Sequence, residues 1–322
     1  MRKQVFTLFG IIFLVLCGAG IYCMSIFTGS GTEKAIIKPD PVNVLVMVKD
    51  RHSGLTDSIM LFNYFPDENR ISMLNIPRDT GVSIDGYTHK INSVYSRAKE
   101  NESGGKLACT YVSGLTGVKV NKYVVADLDI VQDVVNAVGG VDYKVPIRMI
   151  YHDKSQNLHI NLKPGKQHLN GKQVEMMLRY RHPNANRPKP KNYDKYYDGS
   201  DLKRTNIQMK FIKSFIRQKA TVLNFSKASD VIDSTFKNIE TNVKKEEMLR
   251  IAAMLPSFND AKFNTFRLNG SGYSVYTYDG NITNTKDNSI HPAKEIIDGY
   301  FSTSAKKNGE KPANSKEPVT AS

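Results

Sequence analysis

Continuous apolar runs separated by short polar turns predict three strands in the first third of the chain. Asn43–Val48 is almost entirely apolar, which is the pattern of a strand buried on both faces. Ser58–Phe65 and Arg70–Ile76 predict two further strands, and the intervening Pro66–Asn69 is typical of a hairpin turn. Pro77 ends the third strand, because proline has no N–H to donate to a sheet.

Apolar residues at helical spacing predict the main helices. Ser93–Gly114 predicts a helix with a Ser-Gly-Gly interruption at 103–105, and Asp127–Val138 predicts an amphipathic helix that ends at a glycine pair. Asn170 is placed to cap a third helix, which runs out at 178–181. A fourth begins at Ser200 or Asp201 and continues through Arg217, with its buried side supplied by Ile207, Phe211, Ile212 and Phe215.

The rest of the chain gives a weaker pattern. The polar residues 182–199 include prolines, lysines and tyrosines and predict a long mobile loop. Residues 220–301 predict two or three helices and carry no recognisable chemistry. Short strands are expected at Lys122–Ala126, Val141–Val145, Leu158–Leu162, Thr265–Leu268 and Tyr273–Tyr278.

The N-terminus predicts a membrane anchor. Residues 5–27 are 23 residues without a charge, long enough at 1.5 Å per residue to cross a bilayer core of about 30 Å. Arg2 and Lys3 precede this run, so residues 1–4 are expected in the cytoplasm and the rest of the chain outside the cell. A cleaved signal peptide is the rival interpretation, but the run is long for one and lacks an A-x-A site. We expect a linker at 28–42, one extracellular domain at 43–301 and a disordered tail at 302–322.

The net charge of the chain limits the kinds of binding partner to expect. The 322 residues include 45 basic and 31 acidic ones, a net charge of +14, and all but two basic residues follow residue 30. Such a balance favours a polyanionic partner. No zinc finger, basic zipper or RNP motif is present, so a nucleic acid is not expected. Three cysteines provide no disulfide framework, and Cys109 is expected to be a small buried hydrophobe.

Candidate chemistry gathers where the predicted strands end. Arg78 and Asp79 follow the third strand, at the place where open α/β sheets collect ligands, although a solvated surface turn would look the same. Asp50 and Asp57 lie at the exit of one strand and the entrance of the next, so local geometry could bring both carboxylates to one end. Lys90 and Asn92 follow on the same outgoing segment.

Two later segments add basic and polar side chains. Arg179 and Arg181 would share a face if the backbone between them is extended, and two guanidinium groups on one face suit a pyrophosphate. A pair of surface arginines is the alternative. Asp201, Arg204 and Gln208 fall within about 60° of one another on a helical wheel, although a capped helix with an ion pair would account for the first two. The HExxH, G-x-S-x-G, Walker A and CxxC motifs are absent, and scattered histidines give zinc little support.

Five sequence blocks, in order, resemble the LytR-CpsA-Psr family of cell-envelope phosphotransferases over about residues 43–219. They are NVLVMVKD with TDSIMLF, NIPRDTGVSIDGYTHKIN, YVVADLDIVQDVVNAVGGVDYKVP, LKPGKQHLNGKQVEMMLRYRH and DLKRTNIQ. The resemblance implies an α/β fold, an α/β/α sandwich with a mixed central sheet. It also implies an apolar pocket for a polyprenyl tail, with arginines around the pyrophosphate.

The resemblance also implies roles for particular residues. The matching positions are a metal pair (Asp50 and Asp57), the arginine of the IPRD loop (Arg78), a pyrophosphate-facing pair (Arg179 and Arg181), the late polar helix (Asp201, Arg204 and Gln208) and the KIN motif (Lys90 and Asn92). Carboxylate ligands suit Mg²⁺ or Mn²⁺. Either Asp79 or Asp201 is a candidate general base. Three positions depart from the family pattern: Val48 stands in place of a glycine, and Leu55 and Ile207 stand in place of arginines, which leaves fewer phosphate donors.

The function this implies is transfer of a glycosyl-phosphate polymer, teichoic acid-like or capsular, from an undecaprenyl-pyrophosphate carrier to peptidoglycan through a phosphodiester link. Arginines and a divalent cation would neutralise the departing phosphate. Two alternatives stay open at this point. One is a pyrophosphatase acting on the lipid carrier, and the other is a non-catalytic protein that binds or regulates wall polymer.

Overall fold

The computed structural model of the chain describes residues 42–50, 53–127, 130–154, 158–198, 201–220, 239–244, 261–272 and 274–302. The predicted anchor at 5–27 and almost all of the predicted tail at 302–322 lie outside these residues. Within the described residues, no helix combines the length and apolar character needed to cross a membrane.

The centre of the fold is a mixed eight-stranded sheet. Its strands are β1 (Val42–Lys49), β2 (Thr56–Phe65), β3 (Arg70–Ile76), β6 (Lys122–Asp127), β11 (Ile239–Thr241), β12 (Lys262–Ser271), β13 (Thr277–Asn284) and β14 (Ile290–Pro292). They lie in the order β11-β6-β1-β2-β3-β12-β13-β14. β1 and β2 are antiparallel, as are β2 and β3, whereas β6 pairs with β1 and β12 with β3 in parallel. The predicted α/β class with a mixed central sheet is confirmed.

Three two-stranded ribbons accompany the main sheet. They pair β4 (Gly81–Ile84) with β5 (Tyr87–Lys90), β7 (Val141–Val145) with β10 (Gly165–Leu169), and β8 (Met149–Asp153) with β9 (Leu158–Leu162). The pairings of β4 with β5 and of β7 with β10 place polar side chains in solvent. Alternation of polar and apolar residues over only four or five positions gives a weak signal, so the sequence did not predict β4, β5, β8 or β10.

Helices cover both faces of the sheet because β1 is apolar on both sides. Val44, Val46 and Val48 pack into one core, and Leu45 and Met47 pack into another. The first core includes side chains of α2 (Ile130–Ala137), α3 (Gly171–Arg179), α4 (Tyr193–Tyr196) and α5 (Asp201–Ala220). The second includes side chains of α1 (Gly104–Thr116) and α6 (Ala293–Tyr300). We call these the first and second faces of the sheet.

The predicted helix over 93–114 is wrong in its first half. Residues before 103 form only short 3-10 turns, and α1 begins at Gly104 with Ser103 as its N-cap, whose side chain accepts from the N–H of Lys106. The Ser-Gly-Gly segment therefore starts the helix. A side chain at Gly105 would meet the ring of Tyr123 at 2.2 Å, so glycine permits this close approach.

Residues 182–198 are more firmly packed than a mobile loop. The short helix α4 lies within them, and Tyr193 and Tyr197 are buried. The Tyr193 hydroxyl donates to the Arg181 carbonyl at 2.8 Å, and the rings of Tyr180 and Tyr197 meet edge to face. These aromatic contacts fix the segment between Arg181 and α5, which the polar composition did not indicate.

Candidate functional site

A β-bulge places Asp57 at the end of the β1–β2 hairpin. Val48 pairs with Ser58 and Lys49 pairs with Thr56, so Asp57 is the extra residue of the bulged strand. Bulges redirect a side chain, and they occur often beside active sites. Asp57 and Asp50 are both buried, each with 6% exposure. Because β1 and β2 are antiparallel, the end of β1 lies beside the start of β2, and the two aspartates lie at the same end of the sheet, as the sequence predicts.

Asp50 is held by the tight turn that joins β1 to β2. Its side-chain Oδ1 accepts the Ser53 N–H at 2.8 Å, and its backbone N–H donates to the Leu55 carbonyl at 2.8 Å. Gly54 adopts a φ of +65° in this turn, a left-handed conformation that favours glycine. The turn thereby fixes the position of the Asp50 carboxylate.

Asp57 forms an ion pair with the arginine that follows β3. Arg78 Nη1 lies 3.0 Å from Asp57 Oδ1, and the Arg78 side chain is 23% exposed. Burial raises the pKa of Asp57 to about 6, and repulsion from Asp50 and Asp79 adds to this rise, whereas Arg78 opposes it. The three carboxylates therefore lie close enough to affect one another, and Arg78 offsets part of their negative charge.

Asp79 bridges two cations in the same loop. Its carboxylate is 2.7 Å from Lys90 Nζ and 3.6 Å from Arg78 Nε. Backbone hydrogen bonds tie the two segments together: the Asn92 N–H donates to the Arg78 carbonyl and the Ile91 N–H to the Thr80 carbonyl. Lys90 and Asn92 thus belong to the structural unit that carries Arg78.

Arg204 and Arg181 bring positive charge from the first face. Arg204, on α5, is buried with 2% exposure. Burial holds the pKa of Arg204 well below its usual range, with repulsion from Arg181 and Arg78 adding to the effect and attraction to Asp57 opposing it. Three guanidinium groups therefore converge beside the aspartates. Guanidinium groups donate several hydrogen bonds to phosphate oxygens, so a cluster of three suits a phosphate or pyrophosphate ligand.

Arg179 pairs with a carboxylate one turn before it in the chain. It is the last residue of α3, and Arg179 Nη1 donates back to Glu175 Oε1 at 2.8 Å. Tyr180, which separates the two arginines, has the extended backbone that the prediction required, with φ −66° and ψ 133°. Both arginines act on Tyr151, because each opposes the rise in the Tyr151 pKa that burial causes.

α5 is joined to α3 by a buried hydrogen bond. Gln208 Nε2 donates to the Leu178 carbonyl at 3.2 Å, close to the end of α3 where Arg179 lies. Gln208 is therefore a link between the two arginine-bearing helices. The side chain of Asp201 lies outside the described part of the chain, so its predicted catalytic role stays a prediction.

Comparison with known proteins identifies the family of this chain. The sequence model of the LytR_cpsA_psr family matches residues 28–291. The chain belongs to this family. A curated member, the polyisoprenyl-teichoic acid–peptidoglycan teichoic acid transferase TagV of Bacillus subtilis (strain 168), is 26% identical over 88% of this chain and 75% of its own length.

Two further comparisons agree with the family assignment. The corresponding transferase TagU of Bacillus mycoides (strain KBAB4) is 26% identical over 77% of this chain and 81% of its own. The crystal structure of B. subtilis TagV superimposes with a TM-score of 0.59 at 24% identity, covering 81% of this chain and 98% of that one, and shares the fold. These LytR_cpsA_psr relatives are named as transferases, and they support the same enzyme class for this chain.

Sequence reasoning missed several residues that shape this LytR_cpsA_psr site. Glu175 accepts hydrogen bonds from both Arg179 and Gln132, the latter at 2.7 Å. The Tyr276 N–H donates to the Asp79 carbonyl at 2.8 Å, and the Tyr276 carbonyl accepts from the Gly81 N–H at 2.9 Å. An i,i+4 pairing of Glu with Arg was visible in the sequence, whereas the contact of Tyr276 needs the three-dimensional fold.

The predicted metal ligands have suitable chemistry. Within the described ranges, no group of three or more His, Cys, Asp or Glu side chains is arranged to hold a metal ion. Mg²⁺ is commonly bound through one or two carboxylates, with substrate phosphates and water completing its octahedron. Asp50 and Asp57 fit that pattern, because they are two neighbouring carboxylates, both of them buried.

Proposed function

We propose that this chain transfers a glycosyl-phosphate polymer from an undecaprenyl-pyrophosphate carrier to peptidoglycan. A hydroxyl oxygen of the acceptor sugar attacks the phosphorus attached to the polymer, and the bond from that phosphorus to the bridging oxygen breaks. The products are a polymer–peptidoglycan phosphodiester and undecaprenyl phosphate, and the hydroxyl proton leaves to a base. The polymer is teichoic acid-like or another anionic or capsular polysaccharide.

The observation that carries the proposal is the convergence of Arg78, Arg181 and Arg204 beside Asp57. The three guanidinium groups can neutralise the negative charge on the two phosphates of the pyrophosphate. This matters most during transfer, because negative charge grows on the departing phosphate. The buried Arg204 cannot be hydrated like a surface arginine, so a bound phosphate would stabilise its charged form.

Asp50 and Asp57 would hold a divalent cation, Mg²⁺ or Mn²⁺. When bound, the cation supplies further charge neutralisation on phosphate oxygens. The protein's own contribution is to fix the two carboxylates through the bulge and the turn, and to orient Arg78 between Asp57 and Asp79. Lys90 and Asn92 hold this loop in place.

We also propose that residues 5–27 anchor the chain in the cell membrane, with the catalytic domain outside. The support is the uncharged length of that segment and the basic pair before it. Fractionation should recover the protein with membranes after carbonate washing, and added protease should digest the domain in intact protoplasts. Release by the wash, or protection from the protease, would contradict this placement.

The activity is tested with full-length protein, a lipid-pyrophosphate-linked glycan and peptidoglycan fragments. The wild type should attach polymer to the fragments, and EDTA should stop it. Arg78→Ala should lower the rate by at least a hundredfold, on the order expected when a charge-stabilising donor is lost. Arg217→Ala, which removes an exposed arginine from the far end of α5, is the matched control and should retain the rate.

Release of phosphate from the lipid without transfer would favour a pyrophosphatase. Polymer binding that survives Asp50→Ala, with no turnover of any kind, would favour a regulatory protein. Equal rates for the wild type and Arg78→Ala would refute the site assignment.

A further inference from the structure

A hairpin beside the site carries an exposed aromatic residue. Tyr87 begins β5 in the β4–β5 ribbon and is 73% exposed, and Ile290 at 58% is the other large hydrophobic side chain exposed in the described part of the chain. Single exposed aromatic rings beside a sugar-handling site provide flat surfaces for stacking, since the C–H faces of a pyranose pack on a ring. Tyr87 lies three residues, about 10 Å, from Lys90, which reaches Asp79.

The same hairpin orients an exposed arginine. Arg97 Nε donates to Ser93 Oγ at 3.2 Å, and Arg97 Nη2 donates to His89 Nδ1 at 3.0 Å. The Ser93 hydroxyl in turn donates to the Lys90 carbonyl at 2.8 Å. Arg97 forms no ion pair with a described residue, and its guanidinium keeps further N–H donors. A guanidinium that is fixed yet exposed is prepared to bind a carboxylate.

Tyr87 and His89 share one side of the hairpin, because alternate residues of a strand point the same way. Lys90, which bonds to Asp79, is on the other side. Tyr87 and the Arg97–His89 pair therefore form an outer surface next to the reacting centre. A ligand that uses it must be long enough to extend past the site.

The direction of the reaction indicates which substrate lies there. Arg204 and the segment carrying Arg181 belong to the first face, whereas Val82, Ile91 and Val94 place the hairpin on the second. In phosphoryl transfer the attacking and leaving oxygens lie roughly in line, on opposite sides of the phosphorus. If the arginines hold the departing lipid phosphate, the acceptor approaches from the hairpin side.

We propose that Tyr87 and Arg97 form an extended acceptor subsite for the peptidoglycan glycan strand, which rests on the transferase function proposed above. The Tyr87 ring stacks on a sugar one disaccharide away from the reacting one. Arg97 binds a carboxylate of the strand's peptide stems. Ser93 and His89 position Arg97 and do not contact the glycan.

The test measures binding of polymer-free glycan strands to the full-length protein in nanodiscs. Two strand lengths are used, a single disaccharide-peptide and an octasaccharide with its peptide stems. Tyr87→Ala should weaken octasaccharide binding about tenfold, the scale of one stacking contact, and leave disaccharide binding unchanged. Tyr87→Phe should bind within twofold of the wild type, and Ile290→Ala is the matched exposed-residue control and should not change binding.

Arg97→Ala separates the two parts of the subsite. It should weaken binding of the octasaccharide that carries peptide stems and should not affect a strand whose stems an amidase has removed. Wild-type affinity of Tyr87→Ala for the octasaccharide would overturn the proposal, as would an equal loss of affinity for the lipid-linked donor.

Failure of the subsite and failure of the transferase give different results. A wild type that transfers polymer, with strand binding insensitive to Tyr87→Ala, overturns only the subsite. A wild type that binds the octasaccharide through Tyr87 but forms no phosphodiester overturns the proposed function and leaves a glycan-binding surface.

Discussion

Asp57 shows at the residue scale how a functional position opposes stability. Its pKa of about 6 in the folded protein lies above the 3.8 of an exposed aspartate, because burial disfavours the charged form. The folded state therefore binds a proton that the unfolded state has released between about pH 4 and pH 6. The free energy of unfolding of the metal-free protein should fall as the pH rises through this window.

Asp57→Asn should remove that decline. At pH 7 the metal-free variant should be more stable than the wild type by about 1–3 kcal/mol, since two pKa units correspond to roughly this range. Mg²⁺ should stabilise the wild type and leave the variant unchanged. Urea titrations between pH 4 and pH 7 measure both effects. The exposed Asp133→Asn is the control, and an unchanged pH slope in Asp57→Asn would contradict the account.

Glu175 affects the site indirectly, by holding the side chain of Arg179. It holds Arg179 at 2.8 Å, and both side chains are about nine-tenths buried. Glu175→Gln should raise the KM for the lipid-linked donor about threefold to tenfold with a smaller change in kcat, because a charge-assisted hydrogen bond becomes a neutral one. Steady-state kinetics checks this, with Glu295→Gln, which changes a glutamate whose side chain is 64% exposed, as the control. Equal donor KM values for the wild type and Glu175→Gln would show that Arg179 needs no such support.

At the element scale, the C-terminal strands brace the loop that carries Arg78. The segment 274–276 lies between β12 and β13, and its Tyr276 backbone bonds to Asp79 and Gly81. Gly81 is needed there for space, because a Cβ would come within 2.8 Å of Val275 Cγ1. Residues beyond 260 therefore complete the sheet and also fix the position of the site loop.

Gly81→Ala should lower kcat several-fold with a small change in Tm, because the added methyl group displaces the loop from Val275. The double variant with Val275→Ala removes the clashing Cγ1 and should recover most of the activity. Gly114→Ala, a helix position with open space around the added Cβ, should leave activity unchanged. Activity that stays low in the double variant would show that the contact with Val275 is not the cause.

The sequence predicted elements well where local pattern decides them. The three strands β1 to β3 and the Asn170 cap followed from apolar runs and turn chemistry, and the cap is confirmed with its partner Gln173. The bulge at Asp57 could not be predicted, because it depends on the register between two strands. The burial of Arg204 was equally hidden, since a helical wheel orders side chains around the axis but does not say what packs on them.

At the scale of the whole molecule, the site lies at one end of the central strands β1, β2 and β3, between the two faces of the sheet. The first face contributes Arg204 and the segment carrying Arg181, and the second contributes the hairpin and its Lys90. β3 contributes Arg78 between them. In the proposed reaction, this arrangement would keep donor and acceptor on opposite sides of the phosphorus, as an in-line transfer requires.

The most direct test of the central claim is mass spectrometry of the products formed in ¹⁸O-labelled water. Full-length protein is incubated with Mg²⁺, a lipid-pyrophosphate-linked glycan and peptidoglycan fragments. The account predicts a polymer–phosphate–peptidoglycan adduct with no ¹⁸O in its new linkage, because the attacking oxygen comes from the acceptor sugar. An ¹⁸O-labelled glycan phosphate without an adduct would contradict it, because water would then be the acceptor.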